Sequence, residues 1–230
     1  MGIAVKTDLK TLYLTDNGTN PLIDGYTDQQ GRLLRLALNL NAPSMDYKQA
    51  TILYSEERAL QQMVLDESQD ALYFVDAKAG KKKQFETYLG SLVRFDLANG
   101  KATTIANNLV APFGFILSAD RQTAYVTEPY TSRTSALVRL DIAQGKREVI
   151  LIGGGFYPCS WGPGHEISVI VPDRAKTELW YIDVTETPAS AHLIADRSLL
   201  PSVPNCVARV GNDLFPLIVG CDSHITLINR

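Results

Sequence analysis

A chain of 230 residues, 45% hydrophobic and 20% charged, has the make-up of an ordinary globular protein and enough apolar material for a sizeable core. Its formal net charge of −3 gives no electrostatic reason to expect nucleic acid or an anionic membrane surface as partner. No run approaches the ~18 consecutive apolar residues of a membrane helix, and Met1-Gly2-Ile3-Ala4-Val5 lacks the basic start and long apolar stretch of a signal peptide. The chain therefore reads as soluble, with no targeting signal in it and its compartment open.

Taken in order, the predicted elements repeat. Residues 2–5 read as a first strand, 11–16 as a second, 31–36 as a third and 51–54 as a fourth. The same four strands return at 62–65, 71–76, 90–96 and 103–106, and again at 114–117, 123–128, 135–141 and 148–151. In these two units Gly90-Ser-Leu-Val-Arg-Phe-Asp96 matches Ser135-Ala-Leu-Val-Arg-Leu-Asp141, and each is followed four residues on by Gly100 or Gly145. Asn99-Gly100 and Gln144-Gly145 supply the positive φ that a two-residue hairpin between third and fourth strands requires. A fourth unit opens at Pro158 and carries strands at 168–173, 177–183 and 191–194; a fifth has strands at 205–208, 217–222 and 223–229.

The alternation within these segments has a period of two, and no amphipathic helical window competes with it. Five repeats, approximately 1–58, 59–108, 109–154, 155–200 and 201–230, thus predict an all-β chain. The period and strand count match a β-propeller built of about five four-stranded antiparallel blades in one domain, the last lacking its outer strand. A lone four-stranded sheet cannot bury both faces, so neighbouring blades must cover each other. Two closures stay open: a five-bladed ring with a three-stranded last blade, or part of a six-bladed ring. The incomplete last blade makes self-association possible.

Candidate chemistry is sparse. Cys159, Cys206 and Cys221 show no metal-site spacing and read as buried thiols. His165 sits in a turn, His192 in an outer strand, and His224 opens the last third strand; no Gly-x-Ser-x-Gly elbow is present. Asp16, Asp76, Glu128, Asp173 and Asp222 recur at the end of every second strand. Catalytic pairs need two different environments, so acids repeated in equivalent places read as loop fasteners. The connections 17–30 and 77–89 are longer than 129–134 and carry Tyr26, Lys81, Phe85 and Tyr88, residues suited to an amphipathic ligand-binding rim. Lys81-Lys82-Lys83 reads as a solvated loop tip, and Asn17-Gly18-Thr19 fits a glycosylation acceptor.

The stretches Leu-Tyr-Leu-Thr-Asp16, Leu-Val-Arg-Phe-Asp-Leu-Ala-Asn-Gly-Lys101 and Pro112-Phe-Gly-Phe-Ile-Leu through Glu128 resemble blades of the NHL-repeat, SMP-30/gluconolactonase and strictosidine-synthase-like propellers. The resemblance spans nearly the whole chain. It implies the six-bladed type of fold and leaves activity open, because such blades serve lactonases, a condensing enzyme and binding modules alike. In the lactonase branches a channel Ca2+ is held partly by Asn in Pro-Asn-Gly; here only Pro204-Asn205 matches, with Cys206 in place of Gly, and Phe113 and Cys159 at the equivalent positions. One amide oxygen cannot satisfy calcium's six to eight ligands. The leading expectation is a non-catalytic module binding a protein, peptide or small ligand on one ring face, with Phe113 and Cys159 among its candidate ligand-binding residues. The alternative is a calcium-dependent lactonase or esterase-like hydrolase of the SMP-30/paraoxonase type, with Asn205 as a metal ligand.

Overall fold

A computed structural model of the chain describes residues 2–16, 31–39, 41, 49–56, 59–77, 89–112, 114–118, 120–131, 134–153, 168–173, 176–184, 189–209, 217–221 and 224–229. The chain forms two compact units, Met1–Pro112 and Phe113–Arg230.

Unit 1 holds two four-stranded sheets. The first is β1 (Ile3–Val5), β2 (Thr11–Asp16), β3 (Gly31–Ala37) and β4 (Thr51–Glu56), in that order across the sheet. The second is β5 (Ala59–Asp66), β6 (Ala71–Ala77), β7 (Leu89–Asp96) and β8 (Ala102–Val110). Unit 2 opens with a third sheet of β9 (Gly114–Leu117), β10 (Thr123–Pro129), β11 (Ser135–Asp141) and β12 (Arg147–Gly153). Three strands follow in a fourth sheet, β13 (Ser168–Asp173), β14 (Glu178–Asp183) and β15 (Ser190–Ala195). The last sheet is β16 (Pro204–Arg209), β17 (Leu217–Cys221) and β18 (Ile225–Ile228). Neighbours in every sheet are antiparallel and consecutive in sequence.

Each predicted strand that falls on described residues is present. The expected opening strand of the fourth repeat, around Cys159, lies outside them. Two expectations are corrected. The third-to-fourth-strand hairpin is not a two-residue turn: the Asp96 N–H donates to Lys101 O at 2.9 Å and the Gly100 N–H to Asp96 O at 2.9 Å, so four residues bridge the strands. Asp141, Gly145 and Lys146 repeat that pattern. The glycines do take the left-handed conformation expected of them, with φ +70° and +66°. The outer strand of the second sheet, expected at 103–106, runs from 102 to 110, because irregularities in its pairing between Gly90 and Val93 let the ladder continue.

Near-continuous apolar runs in central strands such as β6, β7 and β11 give a sheet two apolar faces, and within each unit successive sheets cover one another. Tyr13 and Leu33 of the first sheet pack with Leu60, Met63, Phe74 and Phe95 of the second. Ile116, Tyr125 and Leu137 of the third sheet meet Ile182 of the fourth, whose Leu179 and Ile194 meet Val219 and Ile228 of the last. Close approach at one seam requires glycine: a Cβ on Gly2 would collide with the backbone nitrogen of Met63. Glu67–Gln69 forms a short helical turn, and among the described residues no helix is long and apolar enough to cross a membrane.

Candidate functional site

The acids that close the second strands stand at the junction leading to the variable connections. Asp16 ends β2 directly opposite Arg32 of β3, and the two form an ion pair. Asp76 is buried in β6 and accepts the backbone N–H of Ser91, its partner residue on β7, at 2.9 Å. Glu128 is buried in β10 and pairs with Arg147 at the start of β12, two strands away. Asp173 closes β13 opposite Glu178, and Asp222 lies outside the described residues. Each carboxylate seen in detail is thus engaged by a cation or a backbone donor across the sheet. That use holds the strand ends. The repetition predicts bonds to backbone donors of the following loop; instead Asp16 and Glu128 pair with arginine side chains on strands, and Asp76 takes a backbone donor on β7.

The residue before the acid contributes to the same anchoring. Thr15 Oγ1 donates to Gln61 O at 2.7 Å, linking the first sheet to β5, and Thr127 Oγ1 donates to Gly114 O at 3.4 Å. Both threonines are buried.

Turn aspartates close other connections, Asp96 and Asp120 at the opposite ends of the strands and Asp196 just after β15, at the end of its sheet where Asp173 lies. Asp96 accepts from the N–H groups of Ala98 and Asn99 at 3.0 and 3.2 Å, Asp120 from Ser118 Oγ at 2.5 Å and Gln122 N at 2.9 Å, and Asp196 from Ser198 N at 2.8 Å and Oγ at 2.6 Å. These donors hold all three carboxyls below the usual carboxylate range, the Asn99 N–H being the largest cause for Asp96, the Ser118 hydroxyl for Asp120 and the Ser198 hydroxyl for Asp196. Their role is turn closure.

A feature the sequence carried but the repeat analysis passed over is a cross-strand ladder. Tyr13 faces Arg35, Tyr73 faces Arg94 and Tyr125 faces Arg139 at one equivalent position of the first three sheets. The fourth sheet has Ile170 opposite Tyr181 there, and the last has Ile218 opposite Leu227. Arg139 Nη2 donates to Val184 O of the next sheet at 2.7 Å, so the arginine ties adjacent sheets together. Burial raises Tyr125 above the ordinary tyrosine value, against the lowering effect of Arg139. The signal was legible: Tyr recurs at one place in the second-strand motif and Arg at one place in the third-strand motif of the first three repeats.

Of the residues expected to bind ligand, Tyr26, Lys81, Phe85, Tyr88, Phe113 and Cys159 lie outside the described residues, as does His165. The strands flanking the long connections are described: β6 reaches Ala77 and β7 begins at Leu89, leaving residues 78–88 between them. The corresponding connection of the third sheet is only 130–134. Asn205 falls on β16 where the pairing with β17 shifts between Pro204 and Cys206, a bulge at the start of the strand. Among the described residues, no group of three or more His, Cys, Asp and Glu could hold a metal ion. His192 stacks loosely beside Tyr181, ring centres 6.1 Å apart, and His224 is exposed.

No protein-family model matches the chain, and no curated protein matches it in sequence. Solved structures do. The chain is similar to a chain of a nidogen/laminin complex crystal structure, with a TM-score of 0.54 and 16% identity over 91% of this chain and 69% of that one. It is also similar to TolB from Acinetobacter baumannii, with a TM-score of 0.55 and 12% identity over 83% of this chain and 42% of TolB. The chain thus spans about two thirds of the first structure and well under half of the second. At these identities the likeness speaks for architecture alone, and with the antiparallel, sequentially ordered sheets it shows that the chain has the β-propeller fold.

Proposed function

We propose that the chain is a propeller interaction module that binds a protein partner through the end of its sheets carrying the second-to-third-strand connections. The observation behind this reading is the contrast at that end: the acids beneath the connections are committed to Arg32, Ser91 and Arg147, while the connections themselves vary in length from sheet to sheet. A fixed frame under variable loops is how rigid scaffolds present binding residues. Tyr26, Phe85 and Tyr88 supply aromatic contact area and Lys81 a charge on those loops, a composition favoured at interface centres for its aromatics. The nidogen/laminin structure, by its description a protein complex, is in keeping with a propeller of this kind meeting a protein. Self-association through the last sheet belongs to the same reading as a separate surface.

Selection of a displayed peptide library on the immobilised protein tests the loop surface. The variant Y26A/K81A/F85A/Y88A serves as counter-target, with its melting temperature checked against wild type. Peptides enriched on wild type and at least tenfold weaker on the variant are expected; an enriched set that binds both alike overturns the reading.

A further inference from the structure

The turns that close the second and third sheets are near copies, Asp96-Leu-Ala-Asn-Gly-Lys101 and Asp141-Ile-Ala-Gln-Gly-Lys146. In each, the glycine N–H donates to the carbonyl oxygen of the aspartate that opens the turn, at 2.9 and 2.8 Å, and the glycine takes a positive φ. They differ in the residue before the glycine, Asn99 in one and Gln144 in the other, both exposed. That difference is chemical. In an Asn-Gly pair the glycine nitrogen sits next to the asparagine Cγ in the chain and closes a five-membered ring on it, an intramolecular attack that proximity favours. Glutamine must close a six-membered ring with one more rotatable bond to fix, and reacts more slowly. Asn-Gly also occurs at Asn17-Gly18, outside the described residues.

Two observations favour reaction at Asn99 and two restrain it. Gly100 has no side chain to hinder attack, and no other segment comes within 4 Å of where its Cβ would stand. The Lys101 N–H donates to Asn99 Oδ1 at 2.9 Å, which polarises the Cγ carbonyl and puts a donor where negative charge develops. On the other side, the Gly100 N–H is held by Asp96 O. The Asp96 carboxylate, which accepts the Asn99 N–H at 3.2 Å, also sets a negative charge nearby and disfavours loss of the amide proton. We propose that Asn99 is a site of spontaneous deamidation, slowed but not abolished by the fold, and that its conversion opens the turn between β7 and β8.

Hydroxide takes the Gly100 amide proton, and the nitrogen attacks Asn99 Cγ to form the ring C–N bond. The oxyanion on Oδ1 meets the Lys101 N–H and collapses with cleavage of the Cγ–Nδ2 bond; Nδ2 takes a proton from water and leaves as ammonia, which regenerates the hydroxide. Water then opens the succinimide at either carbonyl. Addition at Cγ breaks the new Cγ–N bond and gives aspartate. Addition at the Asn99 main-chain carbonyl breaks its bond to the Gly100 nitrogen and gives isoaspartate, whose main chain runs through Cγ. One water is consumed and one ammonia released, with nothing oxidised or reduced. Isoaspartate puts a methylene into the backbone of a turn closed by Gly100 N–H to Asp96 O and Asp96 N–H to Lys101 O, so the turn no longer fits those bonds. The pairing of Phe95 with Ala102 stands next to it, and Phe95 belongs to the core shared with the first sheet, so the loosening reaches buried residues. The site lies at the other end of the strands from the loop surface proposed above and is independent of it.

The test is to age the full chain in warm, mildly alkaline buffer and follow it by peptide mapping, with mass spectrometry and isoaspartyl methyltransferase labelling to separate isoaspartate from aspartate. Both products are expected to accumulate at position 99, at least tenfold faster than deamidation at Gln144 and more slowly than in a synthetic peptide of residues 94–104. A lower-melting population is expected to grow in step with isoaspartate. N99Q, which reproduces the turn of the third sheet, is expected to keep its melting temperature when aged alongside. Freshly made N99D, with the new charge but no added methylene, is expected to melt above the isoaspartate form. Position 99 intact after the peptide has fully converted overturns the proposal; so does isoaspartate at 99 in protein whose melting is unchanged.

Discussion

The third sheet and the last sheet are built from nearly the same pattern, yet they stand in different surroundings. β11 lies between β10 and β12, and Ala136, Leu137, Val138 and Leu140 are all buried in it. Among the described residues β18 has a strand neighbour on one side, β17, and Ile225 and Leu227 are exposed while Ile228 is buried. Alternation makes a strand and assigns its two faces; it does not say whether anything covers them. Burial is conferred by the neighbouring strand and the neighbouring sheet.

Four measurements can break or sharpen that contrast, all read as unfolding free energy or melting temperature. The largest effect belongs to equivalent core truncations. Leu137→Ala, among Ile116, Tyr125 and Ile182, is expected to cost about 2–5 kcal/mol, whereas Ile225→Ala in monomeric protein should stay within about 0.5 kcal/mol. Equal losses would mean that β18 is covered in solution even in the monomer. Next comes Glu128→Gln, which keeps shape but leaves Arg147 without its charged partner beside a buried side chain; a loss of about 1–3 kcal/mol is expected in denaturant titrations. Gly145→Ala has free space around the new methyl, so only its φ of +66° matters, and a loss of about 1 kcal/mol is expected.

The smallest effect is acid sensitivity from the turn aspartates. Asp96, Asp120 and Asp196 have folded values depressed below their ordinary 3.8. Their contribution is therefore complete above the unfolded value and is lost as pH falls through the depressed folded values. Melting temperature should change little from about pH 7 to 5 and then decline. The variant D96N/D120N/D196N should show a shallower decline; an unchanged acid limb would mean the turns close without their charges.

Most of the strand order was legible because two independent signals agreed, the period of two and the repetition of whole motifs such as Leu-Val-Arg. Turn length was less so. Gly100 and Gly145 announced a positive φ, but the same glycine serves a two-residue turn and the four-residue turn found, and the choice rests on backbone bonds to Asp96 and Asp141. The fastening acids were legible by position and only half by partner. Arg32 and Arg147 lie 16 and 19 residues from Asp16 and Glu128, one on the third strand and the other on the fourth, so no single spacing marked them. The bulge at Asn205 was invisible for a related reason: a register shift belongs to a pair of strands, and neither strand alone records it.

Because every sheet takes its strands from one uninterrupted stretch of chain, assembly can follow synthesis. β1 to β4 can pair before β5 has left the ribosome, and even the longer connections add little to the entropic expense of closing each hairpin. The seam is different: the fit of Gly2 against Met63 and the Thr15 bond to Gln61 join residues 61 and 46 positions apart, and they must wait for the second sheet. A nascent chain therefore exposes the apolar face of its newest sheet until the next arrives, so the interval between successive sheets is when this protein most needs shielding from its neighbours.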